Sequence, residues 1–294
     1  MRTNSLRCFL SILSLTALLL CGTAFAQENA DADNGAILIV AFGTSFEKAR
    51  VSYDNVEKSV RSAFPGHTVR WAWTAHSLLQ SGPDGAPMLS PQEALAKLAT
   101  EGVKDVSVLS LHVIPGAEYH NLVVTARAFE GLPKGLETVR LCPPLLADTD
   151  SIREVASLLL QSLPKARKAN EGVVLVGHGT HHPSGVYYPA LSYYLNALDA
   201  NAFVGTVEGD LDLEAVTAAL KAKGIKKVWL APLMTVAGDH ASNDLFGDED
   251  DSWKQHFTTN GIAVESIRKG LGENPALVQR WVEGLKKTVA GQVH

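Results

Sequence analysis

Short apolar runs alternate along the chain with segments of helical periodicity, and the alternation begins at residue 36. Residues 36–42 form a continuous apolar run, which is typical of a strand whose two faces are both covered. The further predicted strands cover residues 68–74, 105–111, 136–142, 172–176, 202–207, 227–230 and 262–267. Because helical patterns separate these strands, the sequence predicts an α/β protein with parallel sheets and right-handed crossovers.

The helical segments carry recognisable start and stop signals. The first covers residues 45–64 and stops at Pro65-Gly66. Ser90-Pro91-Gln92-Glu93 is a capping box with proline at the first helical position, and it opens a helix to about residue 101. Further helices are predicted over 118–129, 186–200 and 211–223, and a last one follows Asn274-Pro275 to about residue 289.

Two pairs of similar segments indicate an internal duplication. ILIVAFGTS, which ends at Ser45, resembles VVLVGHGTH, which ends at His181, and this alignment places Phe42 opposite His178. VSVLSLHVIPG likewise resembles VWLAPLMTVAG. The alternative is chance convergence of apolar strands followed by glycine. We expect two Rossmann-like domains, over residues 35–147 and 148–294, with an active-site cleft between them.

The first 26 residues have the features of a secretory signal peptide. Arg2 and Arg7 form a positive region, an apolar run covers residues 9–20, and Ala24-Phe25-Ala26 supplies the cleavage pattern. We therefore predict a periplasmic protein in which residues 27–34 form a disordered lead-in. Lipidation of Cys21 is the weaker interpretation, because Leu20 precedes it where a small residue is expected. No later run reaches the about 18 apolar residues of a membrane span, so stable membrane insertion is not expected.

Composition excludes two broad classes of protein. The 294 residues are 46% hydrophobic and 19% charged, with a formal net charge of −5, so neither a disordered chain nor an electrostatic nucleic-acid binder is expected. Signal cleavage would remove Arg2 and Arg7 but no acidic residue, which leaves a net charge of about −7. Cys142 would then be the one remaining cysteine, so an intramolecular disulfide is not expected.

Three candidate metal ligands follow strands of the second half. His178, Glu208 and His240 are separated by roughly 30 residues, about one βα unit each. Because the carboxyl ends of parallel strands line a common crevice, we expect the three side chains to meet there. Two imidazoles and one carboxylate suit a divalent transition metal with open coordination positions. The alternative is that each residue only forms hydrogen bonds in a loop or a solvated turn.

The glycines beside His178 allow close approach of the backbone to a bulky ligand. Gly177 and Gly179 bracket His178, but neither GxGxxG nor GxxxxGK[ST] occurs, so no nucleotide cofactor is expected. A GxSxG elbow is also lacking, and Cys142 has no obvious base nearby, which disfavours covalent hydrolysis.

Several motifs together resemble one family. They are GHGTHHPS (177–184), the Glu208-Gly209 strand end, GDHASNDLFGDEDDSW (238–253), AFGTS (41–45) and LHVIPGAEYH (111–120). They resemble the class II tetrapyrrole chelatases, and most closely the anaerobic sirohydrochlorin cobaltochelatases of the CbiK type. The resemblance implies two Rossmann-like domains that hold a tetrapyrrole in their cleft. It also implies insertion of Co2+, or of Fe2+ as a second metal, into sirohydrochlorin, with release of two protons and without ATP.

The resemblance assigns roles to individual residues. His178, Glu208 and His240 match the metal ligands of the family, with His178 also expected to accept protons from the macrocycle. Gly43, Thr44, Ser45, Gly177 and Gly179 are expected to contact the substrate. Since the substrate carries carboxylates and the protein is acidic, local donors are needed. Arg50, Arg127 and the backbone of residues 43–45 are candidates, although surface solvation is an alternative role for each arginine.

The remaining histidines and one acidic run have less specific interpretations. His112 and His120 lie on the corresponding rim of the first half, where they would be structural or would shape the pocket. His120 follows Tyr119 and has no partner in the triad, so axial ligation of a haem is a second role considered for it. His181 and His182 are interpreted as hydrogen-bonding residues of the cleft lip. Residues 248–251 are interpreted as a solvated helix N-terminus, with metal recruitment as the alternative.

Two rival functions remain open. A periplasmic protein that binds and transports a metal, a haem or a tetrapyrrole without catalysis would also use a signal peptide and a two-domain cleft. A His/Glu metal hydrolase is disfavoured, because no second carboxylate base accompanies the triad. Self-association is left open by the sequence.

Overall fold

The computed structural model describes residues 35–75, 79, 88–238 and 241–292, and these residues form two parallel four-stranded sheets. The first sheet has the order β2-β1-β3-β4 and contains β1 (Ala36–Ala41), β2 (Thr68–Trp73), β3 (Asp105–Ser110) and β4 (Thr138–Leu141). The second has the order β6-β5-β7-β8 and contains β5 (Gly172–Gly179), β6 (Ala202–Glu208), β7 (Lys227–Pro232) and β8 (Ala263–Ser266). The predicted α/β class with two Rossmann-like sheets is confirmed.

Helices connect and cover the strands. They are α1 (Val51–Ala63), α2 (Pro91–Thr100), α3 (Ala117–Phe129), α4 (Thr149–Gln161), α5 (Tyr187–Leu198), α6 (Leu213–Ala222), α7 (Trp253–Thr259) and α8 (Pro275–Val289). Short 3-10 turns occupy Glu47–Arg50, Pro183–Val186 and Leu271–Glu273, and a π-helical turn occupies Ala241–Leu245. The described part of the chain contains no helix long and apolar enough to cross a membrane.

The predicted caps are present. The backbone N–H of Glu93 donates to Ser90 Oγ, and the Glu93 carboxylate accepts from the backbone N–H of Ser90 at 2.8 Å. The Asn274 side chain accepts from the backbone N–H of Ala276 at 3.0 Å at the start of α8. These contacts satisfy N–H groups that a helix cannot pair internally, which is why both helices begin where the sequence signals placed them.

Helix α4 was missed by the sequence analysis. Its buried positions Ile152, Val155, Ala156 and Leu159 follow helical spacing. Asp148 caps it by accepting from the backbone N–H of Ser151 at 2.7 Å. The pattern was available in the sequence, because an acidic cap precedes apolar residues at i, i+3, i+4 and i+7.

A continuous apolar core joins the two halves. It includes Ile37 and Ile39 of the first sheet, Val173 and Leu175 of the second, and Trp281 of α8. Helix α8 returns to pack against α1, β3 and β4, while α4 packs against α5 of the second half. The boundary at residues 147 and 148 stays a prediction. The predicted signal peptide (1–26) and lead-in (27–34) lie outside the described residues.

Candidate active-site cleft

A cleft of about 540 Å³ lies where the carboxyl ends of strands from both sheets converge. Its walls are formed mainly by residues 41–45 at the end of β1, 111–119 after β3, 178–180 at the end of β5 and 233–238 after β7. In an open parallel sheet, this edge presents loops and backbone N–H groups to a ligand. The duplicated fold thus brings four equivalent strand ends around one space.

The glycines around His178 are required by close packing. A side chain at Gly177 would place its Cβ 2.3 Å from Tyr188 Cε1, so Gly177 allows the Tyr188 ring to lie against β5. Gly179 has φ +84°, and a Cβ there would lie 1.8 Å from the carbonyl oxygen of Glu208. These contacts hold the strand end that carries His178 against the end of β6.

Two of the three predicted metal ligands line the cleft. His178 lies between Gly177 and Gly179 of β5, and Glu208 is the last residue of β6. Glu208 is half-exposed, and its Oε2 lies 4.0 Å from Nε2 of His181. This places His178 and Glu208 on adjacent strands at the same edge of the second sheet.

The third predicted ligand, His240, lies outside the described residues. The chain on either side of it is described: Gly238 lines the cleft, and Ala241 is buried at the start of the π-helical turn. Within the described part of the chain, no three His, Cys, Asp or Glu side chains form a ready cluster of metal ligands. The three-residue site therefore stays a prediction, with two members placed in the cleft.

The predicted substrate-contacting residues of the first half lie on the opposite wall. Gly43, Thr44 and Ser45 all line the cleft, as does Gly179, whereas Gly177 packs against Tyr188. The two walls also touch each other: Thr235 Oγ1 donates to the carbonyl of Leu111 at 2.6 Å. This hydrogen bond joins equivalent loops of the two halves at the cleft.

A tyrosine supports the glycine turn in each half. The Gly179 N–H donates to Tyr188 Oη at 3.3 Å, and the Gly43 N–H bonds to Tyr53 in the same way. Burial raises the pKa of both tyrosines above the usual range, so their hydroxyls stay protonated. The repeated arrangement supports the duplication at the level of single side chains.

Two further residues line the cleft: Phe42, which was given no site role from the sequence, and His112, which was expected to be structural or to shape the pocket. Phe42 is 51% exposed and lines the cleft at the position equivalent to His178. His112 also lines the cleft, and its Nδ1 lies 2.9 Å from Ser110 Oγ. The signal for Phe42 was the duplication itself, which aligned it with a candidate ligand. The signal for His112 was its place directly after a strand of the first sheet.

The other candidates lie outside the cleft lining. Arg50 and Arg127 are exposed, and the acidic run at residues 248–251 is exposed ahead of α7, whose cap is Ser252. His120 is exposed and its Nδ1 lies 3.3 Å from Nε2 of His182. His182 is indeed a hydrogen-bonding residue, since its Nδ1 also accepts from the backbone N–H of Ser184. Haem ligation by His120 stays a prediction.

Comparison with known proteins decides the family. The family model described as cobalt chelatase (CbiK) matches residues 35–290. The chain belongs to the CbiK family of cobalt chelatases. The predicted resemblance to CbiK-type class II chelatases is therefore confirmed.

Two curated relatives cover nearly the whole chain. The sirohydrochlorin cobaltochelatase CbiKC of Nitratidesulfovibrio vulgaris is 33% identical over 265 residues, which are 90% of this chain and 94% of that protein. The sirohydrochlorin cobaltochelatase of Salmonella typhimurium is 34% identical over 257 residues, which are 86% of this chain and 96% of that protein. Both relatives match the CbiK family assignment over both halves of the fold.

Solved structures with lower identity share the fold. SirB from Bacillus subtilis has a TM-score of 0.59 at 14% identity, covering 87% of this chain and 96% of that chain. The structure of CbiX, described as the terminal enzyme of siroheme biosynthesis in denitrifying bacteria, has a TM-score of 0.53 at 17% identity. It covers 85% of this chain and 98% of that chain. The two-domain chelatase fold is therefore confirmed.

Proposed function

We propose that this protein is a sirohydrochlorin cobaltochelatase that inserts Co2+ into the macrocycle. The observation that carries the proposal is the CbiK family match over residues 35–290, together with His178 and Glu208 in the cleft between the sheets. The cleft volume of about 540 Å³ falls within the usual range for small-molecule sites. The curated relatives are named for this same reaction.

The proposed ligands suit transient metal binding. Co2+ is bound well by imidazole, and the carboxylate of Glu208 offsets part of its charge. The half-exposed position of Glu208 lets a hydrated ion reach the strand ends from solvent. His240 would complete the set from the segment that follows Gly238 in the cleft wall. Three protein ligands leave coordination positions through which the metal exchanges water for macrocycle nitrogens.

Metal insertion also requires the removal of two pyrrole protons. His178 is the proposed acceptor, because a neutral imidazole nitrogen has a lone pair that can take up a proton and this side chain lines the cleft. Glu208 lies at the outer, solvent-exposed edge of the site and would pass protons to solvent. Two protons leave the macrocycle for each Co2+ that enters, so its net charge does not change. The proposed reaction uses no ATP.

One absorption experiment tests this function. Purified protein, sirohydrochlorin and Co2+ are mixed anaerobically without ATP, and the spectral change of metallation is followed. We expect product in molar excess over protein, at a rate above the protein-free reaction. A transport protein without catalysis would take up one equivalent and stop, which would contradict the proposal. Replacing Co2+ with Fe2+ in the same assay measures whether iron is a second metal substrate.

We also propose that the protein is exported to the periplasm. The positive region, apolar run and Ala24-Phe25-Ala26 pattern support cleavage after Ala26. Fractionation of cells expressing the full chain should yield periplasmic protein whose N-terminal sequence begins at Gln27. A variant with Ala24 and Ala26 both changed to arginine should stay unprocessed. Cytoplasmic protein that retains Met1 would contradict export.

A further inference from the structure

Tyr188 of helix α5 contacts both of the residues that flank His178. Its ring lies so close to β5 that a Cβ at Gly177 would be 2.3 Å from Tyr188 Cε1. Its hydroxyl oxygen accepts a hydrogen bond from the backbone N–H of Gly179 at 3.3 Å. Tyr188 is 5% exposed and belongs to the apolar core, which holds the side chain in place. One buried side chain therefore restrains the backbone on either side of a proposed metal ligand.

The carbonyl of Gly179 orients the His178 ring. Nδ1 of His178 lies 3.3 Å from this carbonyl oxygen. A carbonyl oxygen can only accept a hydrogen bond, so Nδ1 carries the hydrogen, and in the neutral ring the lone pair is on Nε2. Metal-binding histidines commonly donate their other ring N–H to a backbone carbonyl or a carboxylate, which fixes the tautomer and the ring orientation. The contact therefore indicates Nε2 as the nitrogen that reacts with a metal or a proton.

Gly179 is itself held from two sides. Tyr188 accepts from its N–H, and the parallel pairing of β5 and β6 places it opposite Glu208. Its φ of +84° then sets the direction of the carbonyl that follows. Removing the Tyr188 hydroxyl would release one of the two restraints, so the carbonyl would hold the His178 ring less firmly.

The first half contains the same support without a metal ligand. Tyr53 bonds to the backbone N–H of Gly43 as Tyr188 does to Gly179, and both tyrosines are 5% exposed. The residue before Gly43 is Phe42, which has no ring nitrogen. The hydrogen bond between tyrosine and glycine therefore supports a turn in both halves, but in the second half it also acts on an imidazole. Tyr53 is thus a matched control for Tyr188.

We infer that Tyr188 is a positioning residue for metal insertion, which acts through Gly179 to hold His178 in the Nδ1–H tautomer with its lone pair on Nε2. This inference rests on the proposed function, since it assigns an atom of His178 to that reaction. Nε2 first binds Co2+ and, once the metal has moved to the macrocycle, accepts a pyrrole proton. When that N–H bond breaks, its electron pair stays on the pyrrole nitrogen and binds Co2+.

The test compares Tyr188→Phe with Tyr53→Phe. Each variant keeps the ring and leaves one glycine N–H without its acceptor, so urea unfolding should show similar losses of stability. The Kd for Co2+ alone, measured by the visible absorption of bound Co2+, and the KM for Co2+ should both rise about 10-fold in Y188F, but stay within about 3-fold of wild type in Y53F. KM for sirohydrochlorin should change less than KM for Co2+ in Y188F.

Nitrogen-15 NMR of metal-free protein with labelled histidine measures the tautomer directly, in mildly alkaline buffer and without any enzymatic assay. The His178 signals are identified by their loss in His178→Gln. We expect the hydrogen on Nδ1 in wild type and Y53F, and a mixture of the two tautomers in Y188F.

Three results would overturn the inference. They are a hydrogen on Nε2 in the wild type, an unchanged tautomer or Co2+ affinity in Y188F, and an equal loss of Co2+ affinity in Y53F. The first of these needs no variant, so the inference can be rejected even if Y188F does not fold. Wild-type protein that has the hydrogen on Nδ1 but does not metallate sirohydrochlorin would instead reject the proposed function.

Discussion

Gly179 lies directly opposite Glu208 in the parallel pairing of strands β5 and β6. The contact is so close that a Cβ at position 179 would lie 1.8 Å from the Glu208 carbonyl oxygen. Gly179 also has φ +84°, a conformation that side chains disfavour. The position of Glu208, one proposed metal ligand, therefore depends on Gly179, the residue that follows His178, the other proposed ligand.

Replacing Gly179 with alanine should displace the end of β6 and lower both stability and activity. Gly102→Ala is a matched control, because Gly102 also has positive φ (+87°) but meets nothing within 4 Å. We expect G102A to cost about 1–2 kcal/mol of unfolding free energy through backbone strain alone, and G179A to cost more. Urea unfolding measures the stability, and cobalt insertion should fall about 10-fold or more in G179A only. Equal effects of the two substitutions would contradict this account.

Removal of either described ligand should abolish most of the cobalt insertion while leaving the fold intact. We expect His178→Ala and Glu208→Gln to lower the insertion rate about 100-fold or more, because both metal delivery and proton removal are affected. His181→Ala is the control, since His181 lies 4.0 Å from Glu208 but its side chain is 90% exposed. Its rate should stay within about 3-fold of wild type. Wild-type turnover in H178A would reject the site, and circular dichroism checks folding.

Phe42 should contribute a stacking surface for the flat macrocycle. It is 51% exposed although it lies in the cleft wall, so it presents an aromatic face to a ligand. We expect Phe42→Ala to raise KM for sirohydrochlorin about 5-fold to 10-fold, and Phe42→Trp to preserve it. Phe46→Ala is the matched control, because Phe46 is 38% exposed and outside the cleft lining. If F46A and F42A raise KM equally, a stacking role for Phe42 is wrong.

The cap of helix α4 should make stability depend on pH. Hydrogen bonds from the backbone N–H of Ser151 lower the pKa of Asp148, which therefore favours folding when it is ionised. Asp148→Ala should cost about 1 kcal/mol at pH 7. That difference should be lost as pH falls below about 4 and through the folded pKa, because the carboxyl is then protonated in both states. Asp148→Asn keeps the cap without titrating, so urea unfolding should show a flatter acid limb. A pH-independent difference between wild type and D148A would contradict the assignment.

Haem ligation by His120 predicts a Soret band in protein purified from cells with haem available. His120 is exposed, so the position is accessible to a large planar ligand. We expect His120→Ala to lose the band, and His112→Gln, which alters the cleft wall, to retain it. Absence of the band in the wild type would reject this role. In haem-free protein, His120→Ala should leave the rate of cobalt insertion unchanged, since His120 lies outside the cleft lining.

Sequence reasoning recovered the central strands because they are apolar runs, as in β1 and β5. It also recovered helix starts whose caps are local, such as Ser90 and Asn274. It missed α4, although the amphipathic spacing after Asp148 was present. Motif resemblance pointed to His178, Glu208 and His240, and the fold places the first two in one cleft. The packing of α8 on the first sheet depends on contacts between distant segments, which local patterns do not encode.

The sequence by itself determined the fold class, the family, the repeated strand ends and the candidate ligands, because periodicity, glycine turns and motifs are local properties of the chain. Only the tertiary structure decided which donors and aromatic faces share the cleft wall. The cleft positions of the exposed Phe42 ring and of the Thr235–Leu111 contact became visible only when equivalent loops of both halves were brought together. Burial and hydrogen-bond satisfaction are properties of packed surroundings, and residues far apart in sequence supply those surroundings.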